Sequence, residues 1–478
     1  MKLLSNLAYQ SVFQILLMII PLVTIPYVSR ILGSANIGIY SFTFTIAYYF
    51  SVFSMLGIEQ YGNRTIAQKS KSESERNTVL SELIVCHCII AALTTIVYYL
   101  FVFFSITADY KTIYYIQGIY ILSSVFDVNW YFWGMENYRI TVTRNLIIKA
   151  LTVISIFCFV KTKEDLPVYT WILSLSALVS QVYLWFYLPK LTINKAVFVS
   201  SFRHIRPLLV FFTAIVAAHL YRLIDKTMLG AYEYFDDLGC YEYADKLIRL
   251  PLAFITAFGT IMLSRISILS ASKKFRLIRL YLYYSSIFVV FASCMMAFGL
   301  ASISRQFIPL FLGADFLQSI AILNILSLSI PLVAWNNFVR TQVLIPNHRD
   351  AVYSMAVIVG AVVNFILNFL LIPRCRATGA AVATFISYLF VLAIQTYPLI
   401  TFKIISIKKL IVHFPFSIAC GLTIYCLNRV IGFYLGEQTI AVVIQISLGA
   451  IISVGGFFAY FKLFDPSVLS LFSHLKKV

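Results

Sequence analysis

The sequence predicts an all-α polytopic membrane protein with about fourteen transmembrane helices: two six-helix lobes and an appended helix pair, with both termini cytoplasmic. Three observations carry that prediction. Hydrophobic residues make up 61% of the 478 positions and charged residues 12%, where a soluble chain carries about a quarter charged. Apolar runs of about 20 residues recur along the whole chain, the length that the bilayer core demands of a helix. With the N-terminus inside, 25 Lys and Arg fall on inside segments, counting Lys149 at the inner end of its span, and 7 on outside loops, a clear positive-inside asymmetry. The net charge of +18 is thus sorted by side of the membrane and calls for no nucleic acid.

Taken in order, Lys2 precedes an apolar run over 7–29 that is too long for a signal-peptide core and lacks a cleavage site. It forms the first span, and Pro21 and Pro26 are expected to break its outer half. Further spans follow near 37–57, 79–104, 112–133, 146–160, 167–188, 207–229, 241–263, 280–301, 317–338, 352–372, 377–402, 413–434 and 439–461. The outside loops are short, and several are acidic, notably at Glu164, Asp165, Glu233, Asp236 and Asp237.

Residues 189–206, with Lys190, Lys195, Arg203 and Arg206, form a long inside connection. They divide a first lobe (1–188) from a second (207–402), leaving 403–478 as the appended pair and tail. A short repeat supports this division. Leu32-Gly33 followed by Gly38-Ile39-Tyr40 matches Leu229-Gly230 followed by Gly239-Cys240-Tyr241. Parallel repeats of this kind build transporters with a substrate site between the halves.

The densest charge lies between His219 and Pro251. His219, Arg222 and Lys226 stand at i, i+3 and i+7 beside Asp225. Glu242, Asp245, Lys246 and Arg249 stand at i, i+3, i+4 and i+7. Each set shares one helix face. A charge at mid-bilayer costs about 2.5–3.5 kcal/mol and usually faces an interior cavity. The alternative is neutralisation within the helix, Arg222 with Asp225, Glu242 with Lys246 and Asp245 with Arg249, helped by snorkelling towards the outer ends.

Asp127 lies in an apolar run beside the rings of Trp130, Tyr131, Phe132 and Trp133. It is either a proton or cation site or the partner of a neighbouring helix. Glu59 and Arg64 lie near the cytoplasmic membrane edge, where a polar headgroup would first be met. The amides Asn364 and Asn368, with Asn336 and Asn337, suit bonds between helices. The eight cysteines show no metal or disulfide spacing. No Walker A, zinc or nucleophile-elbow motif occurs. No cofactor and no enzyme activity is therefore expected, and an ion gradient, the membrane potential or the substrate gradient must drive any transport unless a partner supplies the energy.

The stretches PYVSRILGSANIGIYSF (26–42), GIEQYGNRTIA (57–67), DVNWYFWGMENYRITVTRN (127–145), DKTMLG (225–230), YADKL (243–247) and LIPRCRATGAAVATF (371–385) resemble those of Wzx-type polysaccharide repeat-unit flippases. That family belongs to the exporter superfamily that also holds multidrug (MATE) exporters and the lipid II flippase. The resemblance runs over roughly residues 5–400. It implies movement of undecaprenyl-diphosphate-linked sugar units, an O-antigen or related glycan, across a bacterial inner membrane by alternating access through a cationic lumen. An H+ or Na+ coupling ion, and a polymerase and chain-length regulator as partners, go with that implication. Arg222, Lys226, Lys246 and Arg249 become candidates for the diphosphate or acidic sugars, with Asp127, Asp225 and Asp245 as ion-coupling groups or charge partners. Two competing classes fit less well. A MATE-type drug exporter is expected to carry an acid in its first span, and 7–29 holds none. A polymerase is expected to carry a large outside loop.

Overall fold

The computed structural model describes residues 2–106, 108–347, 349–401, 407–436 and 438–464, with side chains at all of these except 2–19, 108, 214, 217, 400, 401 and 407–413. Among the described residues there is no strand, and eleven helical stretches are long and apolar enough to cross a membrane.

The helices are α1 (Lys2–Met55), α2 (Ile58–Gln68), α3 (Glu73–Ser105), α4 (Ala108–Val125), α5 (Asn129–Gly134), α6 (Tyr138–Phe159), α7 (Leu166–Trp185), α8 (Lys195–Ser201) and α9 (Ile205–Ala231). They continue as α10 (Phe235–Ala271), α11 (Phe275–Phe311), α12 (Ser319–Phe338), α13 (Asp350–Thr401), α14 (Ile407–Leu435) and α15 (Thr439–Phe464). Two have double length because two predicted spans follow each other across a single non-helical residue, Gly33 in α1 (φ 75°) and Arg376 in α13 (φ 48°). The first break therefore falls not at Pro21 or Pro26, which remain inside helix, but at the residue whose missing Cβ admits a positive φ.

Three predicted boundaries move. The 112–133 span ends early: α4 stops at Val125, and a separate six-residue helix, α5, follows. The short 146–160 span extends back to Tyr138. The acidic turn after α9 shrinks to three residues, because Asp236 and Asp237 enter the first turn of α10, where negative charge meets the positive end of the helix dipole.

The chain folds as two compact units, Met1–Gly239 and Cys240–Val478. In the first, α1 packs against α3, α4, α6 and α9, while α2 lies on α5. Ile58 and Ile66 of α2 join Leu80, Leu83, Trp130, Phe132 and Leu208 in one apolar cluster. Gly62 permits this contact, since a Cβ there would stand 2.6 Å from the Trp130 ring. Gly134 does the same from the other side, 2.8 Å from the Asn63 carbonyl. In the second unit α11 is the central helix, packed on α12, α14 and α15. Its buried face carries Ser285, Ser286, Ser293, Ala297, Ala301 and Ser302, small residues of the kind that let membrane helices approach closely.

The two repeat glycines meet across one helix crossing. A Cβ on Gly38 would collide with the Phe235 backbone, and one on Gly239 with the Ser34 backbone. Ser34 Oγ donates to Asp236 Oδ1 at 2.6 Å across the same point. At the rim, apolar side chains stay exposed, as Ile147, Leu151 and Ile154 do on α6 and Val443, Ile451, Val454 and Phe458 on α15. Such stripes suit hydrocarbon rather than water.

Candidate functional site

The first cationic group forms where α9 passes the second half of α1. Tyr48 and Tyr49 are neighbours in sequence and so point about 100° apart around their helix. Tyr48 Oη lies 3.2 Å from His219 Nδ1, and the Arg222 side chain stands close enough for its charge to act on that phenol. Tyr49 Oη lies 2.9 Å from Thr227 Oγ1. Asp225 and Lys226 are buried, 6% and 8% exposed. Arg222 is exposed, and among the described residues it forms no ion pair. With no acid holding it, its charge remains available to an anion.

The second group, on α10, is neutralised within its own helix. Arg249 holds Asp245 through both ends of its fork, Nη2 to Oδ1 at 3.1 Å and to Oδ2 at 2.9 Å, with Nε to Oδ2 at 3.2 Å. Lys246 Nζ lies 3.0 Å from Glu242 Oε1 and 5.1 Å from the Tyr243 ring centre. Both pairs are i, i+4 with the acid first, the favoured order. Of the candidate substrate cations, Lys246 and Arg249 thus have their charge met already, and Arg222 does not.

Asp127 lies outside regular helix, in the break between α4 and α5, because its own carboxylate organises that break. Oδ1 accepts from the Asn129 backbone N–H (2.9 Å) and from Asn129 Nδ2 (2.8 Å), and Oδ2 accepts from Gln181 Nε2 (3.0 Å). The same two amides turn their oxygens to Arg144: Nη2 donates to Asn129 Oδ1 (3.0 Å) and Nη1 to Gln181 Oε1 (3.2 Å). Arg144 also donates to the Ser180 carbonyl and to Asn145, and it is 3% exposed. An acid and a base thus share two amide bridges. The acid that looks isolated in sequence is one corner of a closed network, consistent with a charge partner. Glu59 and Arg64 are both exposed on α2, and Glu59 feels the Asp127 charge: loss of water first, and that carboxylate second, push its carboxyl above the ordinary 4.5.

Sequence reasoning missed Arg144, which reads as an ordinary inside-loop cation because its bonding partners lie 15, 36 and 37 residues away. Its one signal was its place inside the 127–145 stretch. It missed as well a chain that ties the 189–206 connection to α3. Glu82 Oε2 lies 3.0 Å from His204 Nε2 and accepts from Arg203, and His204 Nδ1 meets Tyr61 Oη at 2.9 Å. In unit 2, Asn368 Nδ2 donates to Asn364 Oδ1 at 3.1 Å, and Asn364 Nδ2 to Thr384 Oγ1 at 3.4 Å. Those amides join the two halves of α13, as the helix-joining expectation has it.

The profile of the family described as polysaccharide biosynthesis protein matches residues 3–267, more than half of the chain. The chain belongs to that family. A Shigella dysenteriae protein named for O-antigen transport is 22% identical over 372 residues, 76% of this chain and 91% of its own length. The lipid II flippase MurJ of Bacillus subtilis is 24% identical over 225 residues, 45% of this chain and 40% of its own. In fold, a lipid II flippase MurJ in an inward closed conformation superimposes with a TM-score of 0.74 at 17% identity, covering 95% of this chain and 98% of that one. An inward-facing MATE multidrug transporter gives 0.57 at 11% identity, covering 80% and 96%. The all-α transporter fold expected from sequence is therefore the fold observed.

Proposed function

We propose that this family member is a flippase. It carries an undecaprenyl-diphosphate-linked oligosaccharide, the repeat unit of an O-antigen or related surface polysaccharide, from the inner to the outer leaflet of the bacterial inner membrane. Family membership and the two relatives support the lipid-linked glycan as cargo. The observation that carries the site is Arg222, an arginine about 13 Å inside the end of a membrane helix at 1.5 Å per residue, beside Tyr48 and in no ion pair among the described residues. Charge-assisted hydrogen bonds from Arg and Lys are the strong ones for a diphosphate. Arg222 makes the first contact, with Lys226 beside it. Lys246 and Arg249 contribute only on leaving Glu242 and Asp245, and Asp225 and Asp127 hold the local charge balance. Glu59 and Arg64 stand at the cytoplasmic mouth.

In this reading the chain crosses fourteen times, with both termini in the cytoplasm, and 1–188 and 207–402 work as lobes in alternating access, joined by 189–206 and followed by 403–478. An H+ or Na+ gradient supplies the energy, and a polymerase with its chain-length regulator receives the product. The test is Arg222→Ala in a strain whose surface polysaccharide depends on this protein. Polysaccharide should be lost at normal protein abundance, and Arg222→Lys should restore part of it, since charge survives without the planar fork. Full export by Arg222→Ala would remove the site assignment. Drug efflux without glycan export would favour a MATE-type exporter.

A further inference from the structure

A continuous run of rings leads along α1 from the first cationic group. Tyr40, Phe44 and Tyr48 stand at i, i+4 and i+8, one above another on a single face and spanning about 12 Å. Tyr40 and Phe44 are stacked at 5.8 Å between centres, and Phe44 and Tyr48 lie 6.0 Å apart. Tyr169 of α7 extends the run beyond Tyr40 at 5.0 Å, Tyr120 of α4 flanks Phe44 at 4.9 Å, and His219 of α9 closes it beyond Tyr48 at 5.2 Å.

These rings, Tyr169 apart, differ from the aromatic core nearby. Tyr98 and Tyr114 are 0% and 3% exposed, whereas Tyr40, Phe44, Tyr48, Tyr120 and His219 are only half-buried. The run also ends beside a charge, because Arg222 lies one turn along α9 from His219 and acts on the Tyr48 phenol. It leads from that arginine, in mid-helix, towards Tyr40 near the Gly33 break, the outer end of the span by cation count.

We infer that this aromatic ladder is the track for the sugar part of the cargo, an inference that rests on the flippase reading above. The face of an aromatic ring is electron-rich, and the apolar face of a pyranose presents polarised C–H groups to it. Stacking of this kind tolerates many sugars, because it reads a face and not a hydroxyl pattern, and a series of equivalent rungs lets a glycan advance without one deep trap. Phenol hydroxyls along the ladder replace water for the sugar hydroxyls. Arg222 holds the diphosphate at the inner end while the glycan lies along the rings towards the outer face.

The test uses the full chain in nanodiscs and two probes, undecaprenyl diphosphate and undecaprenyl diphosphate bearing N-acetylglucosamine, with binding read by native mass spectrometry. Tyr40→Leu with Phe44→Leu should weaken the sugar-bearing probe about tenfold and leave the bare diphosphate unchanged, while Phe44→Trp should bind both as the parent does. Arg222→Ala should weaken both probes. Equal loss for both probes in the leucine variants, or no loss for either, at an unchanged melting temperature, overturns the ladder. If the doubly substituted chain does not fold, Phe44→Leu alone gives the same comparison, with an expected threefold selective loss. Failure of the parent chain to bind either probe overturns the flippase reading itself, and the ladder with it.

Discussion

Arg144 shows what burial does to a single residue. Its fork reaches four oxygens, from Asn129, Asn145, Ser180 and Gln181, in surroundings where an unmet cation is costly. Arg144→Ala should therefore lower the stability of the purified protein by about 3 kcal/mol. Arg144→Lys should recover little, because an ammonium cannot span the two bridging amides. Thermal unfolding in detergent measures both, and a lysine variant as stable as the parent would refute the bridged geometry. At this scale the sequence was legible in part. The i, i+4 pairs on α10 follow from spacing alone, and the structure forms them. The partners of Asp127 and Arg144 do not follow from spacing, since three separate helices supply them.

Helix α2 depends on one contact more than on its own propensity. It is eleven residues long, near the limit at which an isolated helix is marginal, and its Ile58, Gly62 and Ile66 stripe rests on α5. Gly62→Leu should cost about 1–3 kcal/mol by overpacking against Trp130. Trp130→Ala in the same chain should relieve part of that cost, because the two sites share one space. A double-mutant cycle on unfolding temperature gives the coupling, and strict additivity would mean that α2 is not seated there. The stretches 57–67 and 127–145, separate in sequence, thus form one packed module. Composition located the spans well, but the α4–α5 break was hidden because the apolar signal continues through it while Asp127 draws the backbone out of the helix.

The whole molecule is laid out by where it meets lipid. Exposed apolar stripes on α6 and α15 require hydrocarbon around them, and the clustering of Lys and Arg on alternate loops predicts an orientation. Ser272, exposed between α10 and α11, is then expected to face the cytoplasm. In a background without the eight native cysteines, Ser272→Cys should stay unlabelled by an impermeant thiol reagent in intact spheroplasts and react once they are opened. Labelling of intact cells would invert the topology. The membrane-spanning helices were the most legible part of the sequence, because hydropathy depends on the bilayer alone and not on which helices touch.

The crossing of Gly38 and Gly239 ties two sequence positions into one heritable unit. Each glycine faces the backbone beside the other, Phe235 opposite Gly38 and Ser34 opposite Gly239, so a side chain at either position pushes the same two helices apart. Once one has changed, a change at the second meets a gap that has already opened and adds little harm. Selection therefore reads the pair as a single locus. Tolerance measured one position at a time would understate how freely the two can drift together, though they lie at the heads of separate repeats.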